Sequence, residues 1–146
     1  MNKYLPKQTP ISKSVLAGVF AGIIATLANL VYDFSVRSIT QFAPSQIINV
    51  ASIIFGSMLL LSVCGLIYYW ASYFIRKGEN IYIVVFALLT AICVWLGMHA
   101  TRSSNPEVTA KFRILLPGII GISGLLATFY IPYLMRHSSI FSDDED

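Results

Sequence analysis

The sequence predicts an all-α membrane protein, an up-down bundle of four transmembrane helices. Three observations carry that expectation. Only 12% of the 146 residues are charged and 56% are hydrophobic, about half the charge fraction of a soluble domain. The mean hydropathy is +0.72, and a soluble chain this small could not bury so much apolar surface. The apolar residues also fall into four long runs joined by short polar connections. Each run is long enough to cross a hydrocarbon layer of about 30 Å.

The expected organisation is a polar basic segment 1–13, a transmembrane domain 14–136 and an acidic disordered tail 137–146. Within the domain the spans are expected at about 14–36, 47–75, 81–101 and 112–135. Lys3, Lys7 and Lys13 mark the first segment, and Pro6 and Pro10 oppose a regular helix before Ile11. Thr26-Leu27-Ala28 is a passable small-residue cleavage site, but the apolar run continues past it and reads as a span. The connection Arg37 to Gln46 contains the breaker Pro44.

The second run is the longest, and its end is rich in rings. Tyr68, Tyr69, Trp70 and Tyr73 precede Arg76 and Lys77, an aromatic belt followed by a positive anchor. Arg76 to Asn80 reads as a tight turn with Gly78 as a helix stop. Asn105-Pro106 signals a turn inside the connection Arg102 to Lys111. Pro117 and Pro132 are expected to kink the fourth helix. Ser142 to Asp146 reads as a solvated acidic tail.

The net charge of +3 sits at the ends of the runs. That pattern fits the positive-inside rule and not a nucleic-acid surface, which would interleave basic and aromatic residues. Lys3, Lys7, Lys13, Arg76, Lys77 and Arg136 fall on the side of the termini, and Arg37, Arg102, Lys111 and Arg113 on the other. The bias predicts cytoplasmic termini. Cys64 and Cys93 lie inside apolar runs without CxxC or metal-ligand spacing, so they read as buried thiols. No nucleophile–base set is visible. A non-enzymatic protein without cofactor or metal is the expectation.

The first helix is the most informative. Gly18, Gly22, Thr26, Asn29, Asp33 and Arg37 fall within an arc of roughly 100° on a helical wheel. The opposite face carries Val19, Phe20, Ile23, Leu27 and Leu30. Gly18-x-x-x-Gly22 permits close approach of another helix, within the chain or from a second copy. Asp33 is a carboxylate inside an apolar run, where ionisable groups mark function by default. Arg37 lies one turn on and can neutralise it, giving a packing network as the plainer reading. The fourth helix has a stripe of its own in Arg113, Pro117, Gly121, Gly124, Thr128 and Pro132, expected to pack closely, against the first helix in the simplest arrangement.

Up-down order brings Asn29, Asp33, Arg37, Gln46, Asn49, His99, Arg102, Glu107 and Arg113 to one membrane face. A polar intramembrane site built from Asn29, Asp33, Arg37, Asn49, His99 and Arg113 is therefore expected, with Gly18, Gly22, Gly121 and Gly124 as helix-packing positions. His99 is more often a hydrogen-bonded interface residue than a ligand, and only a close approach to Asp33 would make a proton-handling pair.

The basic start, Asn29-Leu30-Val31-Tyr32 closing a Gly-rich first helix, Ile47-Ile48-Asn49-Val50 opening the second and Ile131-Pro132 near the last helix end resemble the small four-span membrane proteins of unknown function that recur in bacterial genomes. That resemblance implies a bacterial inner membrane and no particular activity. The chain also resembles the small multidrug transporters in having four short helices and a carboxylate in the first, but theirs lies mid-span and Asp33 lies near a helix end. Quinone-linked disulfide enzymes need a cysteine pair that this sequence lacks.

The leading functional expectation is an accessory subunit packing into a larger membrane assembly, with the bilayer and other membrane subunits or its own copies as partners. The alternatives are a small oligomeric transporter or channel using Asp33, Asn29 and His99, and a lipid-binding or lipid-modifying protein.

Overall fold

The computed structural model describes residues 8–43 and 48–137. Lys3, Lys7, Pro44, Gln46 and the acidic tail expected beyond His137 lie outside the described residues. Four helices are long and apolar enough to cross a membrane: α1 Pro10–Thr40, α2 Val50–Phe74, α3 Gly78–His99 and α4 Pro106–Arg136. No strand occurs among the described residues. The protein is an all-α membrane protein folded as a four-helix bundle.

Local chemistry explains the helix ends, several of which lie outside the expected runs. Thr9 caps α1, accepting from the Ser12 N–H at 3.3 Å, with Pro10 at the first turn. Proline fits there because that N–H has no helical partner anyway. The span therefore begins before Ser14, and Pro10 opens the helix it was expected to exclude. At 31 residues, α1 is about 46 Å long and projects beyond the hydrocarbon. Asn49 closes a capping box with Ser52 at the start of α2. Asn105 accepts from the Glu107 N–H at 3.0 Å, so Pro106 to Lys111 belongs to the start of α4 and not to a connection.

Gly78 is not a stop. It opens α3, and its missing Cβ matters because one would collide with the carbonyl of Ala71. The α2–α3 turn is therefore very tight.

In cross-section α1 neighbours α2 and α4, while α3 neighbours α2 and α4. The tightest crossing is α1 against α2. A Cβ on Gly65 would strike the Ser14 carbonyl and lie 3.1 Å from the Gly18 Cα, and one on Gly22 would lie 3.1 Å from the Met58 Cα. The Gly-x-x-x-Gly stripe of α1 is thus used inside the chain, against α2. The stripe of α4 turns elsewhere: Gly124 faces Thr90 and Gly121 faces Val94, both on α3, while Gly118 receives the Tyr32 ring of α1. The glycines of the two stripes therefore do not meet each other.

Two apolar clusters fill the bundle. Ala21, Ala25, Leu61, Cys64, Tyr68, Tyr82, Ala127 and Ile131 pack toward the termini. Val36, Phe42, Ile48, Ile53, Phe112 and Leu115 pack toward the opposite end. Helix α3 stands at the periphery, with only Gly78, Tyr82 and Gly97 buried. Its exposed Val84, Leu88, Ile92 and Trp95 suit lipid, which solvates them as well as a protein core would.

Pro132 reshapes α4 one turn before itself. Residues Leu126–Tyr130 form a π turn, and the Ile131 N–H reaches the Leu126 carbonyl. The wider turn relieves the clash of a proline ring with the carbonyl four residues back. It also strands the Ala127 carbonyl, whose π-pattern donor would be Pro132, which has no N–H. The Tyr82 hydroxyl of α3 supplies the missing donor at 2.7 Å.

Candidate functional site

Asn29 sits fully buried at the level between the two clusters. Its Nδ2 donates to the Ser57 hydroxyl of α2 at 3.0 Å and to the Ser123 hydroxyl of α4 at 2.8 Å. One amide thus ties three helices. Its Oδ1 has no hydrogen-bond partner among the described residues. Turning the amide over would leave the NH₂ group unpaired instead, because both serines lie on the same side. Such interhelical bonds average roughly 0.6 kcal/mol each in membrane bundles, enough to favour one arrangement of helices over another.

One turn on, Asp33 is buried and held by Arg37, whose Nε lies 2.8 Å from both carboxylate oxygens. The rest of the guanidinium leaves the helix. Nη1 donates to the Phe42 carbonyl at 3.3 Å and Nη2 to the Ile48 carbonyl at 2.9 Å. The pair therefore closes the end of α1 onto the segment leading into α2, satisfying backbone carbonyls that no helix serves. The Arg37 and Arg102 guanidiniums lie 5.6 Å and 5.7 Å from the Phe42 ring centroid. Arg102 also lies 5.3 Å from the Phe112 ring. Its Nη1 has no hydrogen-bond partner among the described residues, and attraction to the ring faces takes that place.

The other expected site residues are elsewhere engaged. Asn49 caps α2. His99 is exposed, with Nδ1 2.8 Å from the Trp95 carbonyl and its ring against Trp95. Arg113 is exposed and donates to the Ala100 carbonyl at 2.9 Å. Glu107 pairs with Lys111 at 2.9 Å on the surface. Asp33 thus meets Arg37, and His99 turns back on its own helix. Among the described residues no group of three or more potential ligands could hold a metal ion.

Sequence reasoning missed Ser57, Ser123, Phe42, Phe112, Gly65 and Gly56. Ser57 and Ser123 carried a signal, as small polar residues in otherwise apolar runs, but nothing in the chain order matched them to Asn29.

Beside this polar core lies an apolar groove of about 560 Å³ between α2, α3 and α4. Its walls contain many small side chains: Ser52 and Gly56 from α2, Thr90 and Cys93 from α3, Ser123 and Gly124 from α4. Gly56 is unlike the packed glycines, because a Cβ there would meet nothing within 4 Å. Within this chain no contact requires it to be glycine, yet glycine costs a helix up to about 1 kcal/mol relative to alanine. No protein-family model, curated protein or solved structure matches the chain.

Proposed function

We propose that the protein is a non-enzymatic integral-membrane subunit that seats one transmembrane helix of a partner protein in the α2–α3–α4 groove. The observation that carries this reading is Gly56, an otherwise unexplained helical glycine in the wall of a small-residue groove. Close helix approach in membranes depends on small residues, because lipid tails are as apolar as leucine and only packing distinguishes the two. A helix about 10 Å across occupies roughly 420 Å³ per turn. A groove of 560 Å³ takes one face of such a helix over several turns. Ser52 and Gly56, four residues apart on α2, form the small-x-x-x-small pattern of such contacts.

Transport has less support. Both carboxylate oxygens of Asp33 are engaged by Arg37, which leaves them poorly placed to carry a proton or cation. The test is intact-mass measurement after extraction from native membranes into nanodiscs. The wild type should run as a heteromeric complex, and Gly56→Trp, whose Cβ meets nothing within 4 Å inside the chain and whose ring would occupy the groove, should release the partner. A wild-type monomer, or a complex unchanged by Gly56→Trp, would sink the proposal.

A further inference from the structure

At the termini end of the bundle a second cavity, about 390 Å³, opens where the α2–α3 turn meets the end of α4. Arg76, Lys77, Glu79 and Arg136 line it. Glu79 is the only carboxylate among them, and it is already occupied. It accepts from Arg136 Nε at 2.6 Å and from the Tyr68 hydroxyl at 3.2 Å, with Arg136 Nη2 also in contact. The effect is to pin Arg136, from the far end of α4, beside the α2–α3 turn. Among the described residues neither Arg76 nor Lys77 has an ion-pair partner. Among the described residues, three cations thus face one cavity against a single carboxylate.

The depth of the cavity follows from its neighbours. Trp70, Tyr73 and Phe74 on the last turns of α2 are exposed, and Trp and Tyr settle at the headgroup level of a bilayer. A polar cavity with surplus positive charge at that depth, between transmembrane helices, has the chemistry of an anionic lipid headgroup site. A phosphate oxygen takes hydrogen bonds from guanidinium and ammonium groups, and Arg offers two in parallel. The exposed apolar faces of α2 and α3 beside it supply the surface along which acyl chains lie.

We infer that this cavity binds the phosphate headgroup of an anionic phospholipid through Arg76, Lys77 and Arg136, with Glu79 as the residue that positions Arg136. The inference is independent of the groove assigned to a partner helix, which lies farther along the same three helices and is lined by other residues, and it is tested by a different variant.

The experiment reconstitutes the full chain in nanodiscs of phosphatidylcholine with a minor fraction of phosphatidylglycerol. The lipids retained after release are counted by native mass spectrometry. Wild-type protein should retain phosphatidylglycerol well above its share of the bilayer, and added inorganic phosphate should not displace it. Each cation near a membrane surface contributes about 1 kcal/mol, or roughly five-fold. Arg76→Gln with Lys77→Gln should therefore lower the retention ratio by roughly 30-fold. Both side chains are exposed, so the helical signal and melting temperature should not change. Lys111→Gln, at the opposite end, should leave retention intact. No preference in the wild type, equal retention in the double variant, or an equal loss in Lys111→Gln would each overturn the inference. Displacement by inorganic phosphate would overturn it too, marking a general anion site.

Discussion

Replacing Gly65 by alanine puts a methyl group where α1 and α2 run closest. The added Cβ would collide with the Ser14 carbonyl and press on the Gly18 Cα at 3.1 Å. These are backbone atoms of a helix, so no side chain can swing aside. The helices must separate, by about 1 Å, and a gap of that size forfeits a quarter to a half of each dispersion contact along the seam. Ala21, Ala25 and Leu61 lie fully buried in the cluster beside the seam, and the two alanines have no bulk with which to fill a gap. Overpacking of this kind costs about 1–3 kcal/mol, against a gain of up to about 1 kcal/mol from alanine's helix propensity. Gly56→Ala has the same propensity gain and no collision. The two variants should thus differ by about 2 kcal/mol, with Gly56→Ala at or above wild-type stability. Denaturation in mixed micelles, followed by circular dichroism, measures this. A second readout is thiol labelling, because Cys64 is buried beside the seam and Cys93 on α3 is half-buried and serves as an internal reference. Labelling of Cys64 should accelerate in Gly65→Ala and that of Cys93 should not. If Gly65→Ala matches Gly56→Ala in stability and keeps Cys64 protected, the close crossing is wrong.

Asp33→Ala leaves the Arg37 guanidinium without its carboxylate and should cost about 2 kcal/mol, while Asp33→Ala with Arg37→Met should cost less than the single change; the same denaturation series gives the comparison. Asn29→Leu removes the amide from Ser57 and Ser123 and should destabilise by about 1–2 kcal/mol, with hydrogen exchange accelerating in α2 and α4 together. Tyr82→Phe strands the Ala127 carbonyl and should cost about 1 kcal/mol. Pro132→Ala restores an N–H and should convert the π turn to α-helix, so that Tyr82→Phe becomes nearly neutral in that background; equal costs in both backgrounds would refute the account of the turn.

Much of the fold was legible because it is local. A backbone in hydrocarbon must satisfy its own hydrogen bonds, so each apolar run becomes a helix whatever its neighbours do. Run length alone therefore yielded four spans. The helix ends were harder, because capping by Thr9, Asn49 and Asn105 extends or trims helices by side-chain geometry that hydropathy does not register. The Asp33–Arg37 pair was also legible, being one turn of the same helix.

What the tertiary structure alone decided is which helix each special residue meets. Lipid and protein interior are equally apolar, so a hydrophobic residue carries no mark of the side it faces. The chain order could not say that Gly18 would meet Gly65, that Gly124 would turn to α3, or that Asn29 would find Ser57 and Ser123. It could not show that His99 would turn back on the Trp95 carbonyl of its own helix, or that Arg113 of α4 would donate to the Ala100 carbonyl at the end of α3. Nor could it show that a Cβ on Gly56 would meet nothing within 4 Å. Those relations depend on the complementary shapes of four helices at once, and only their packing fixes them.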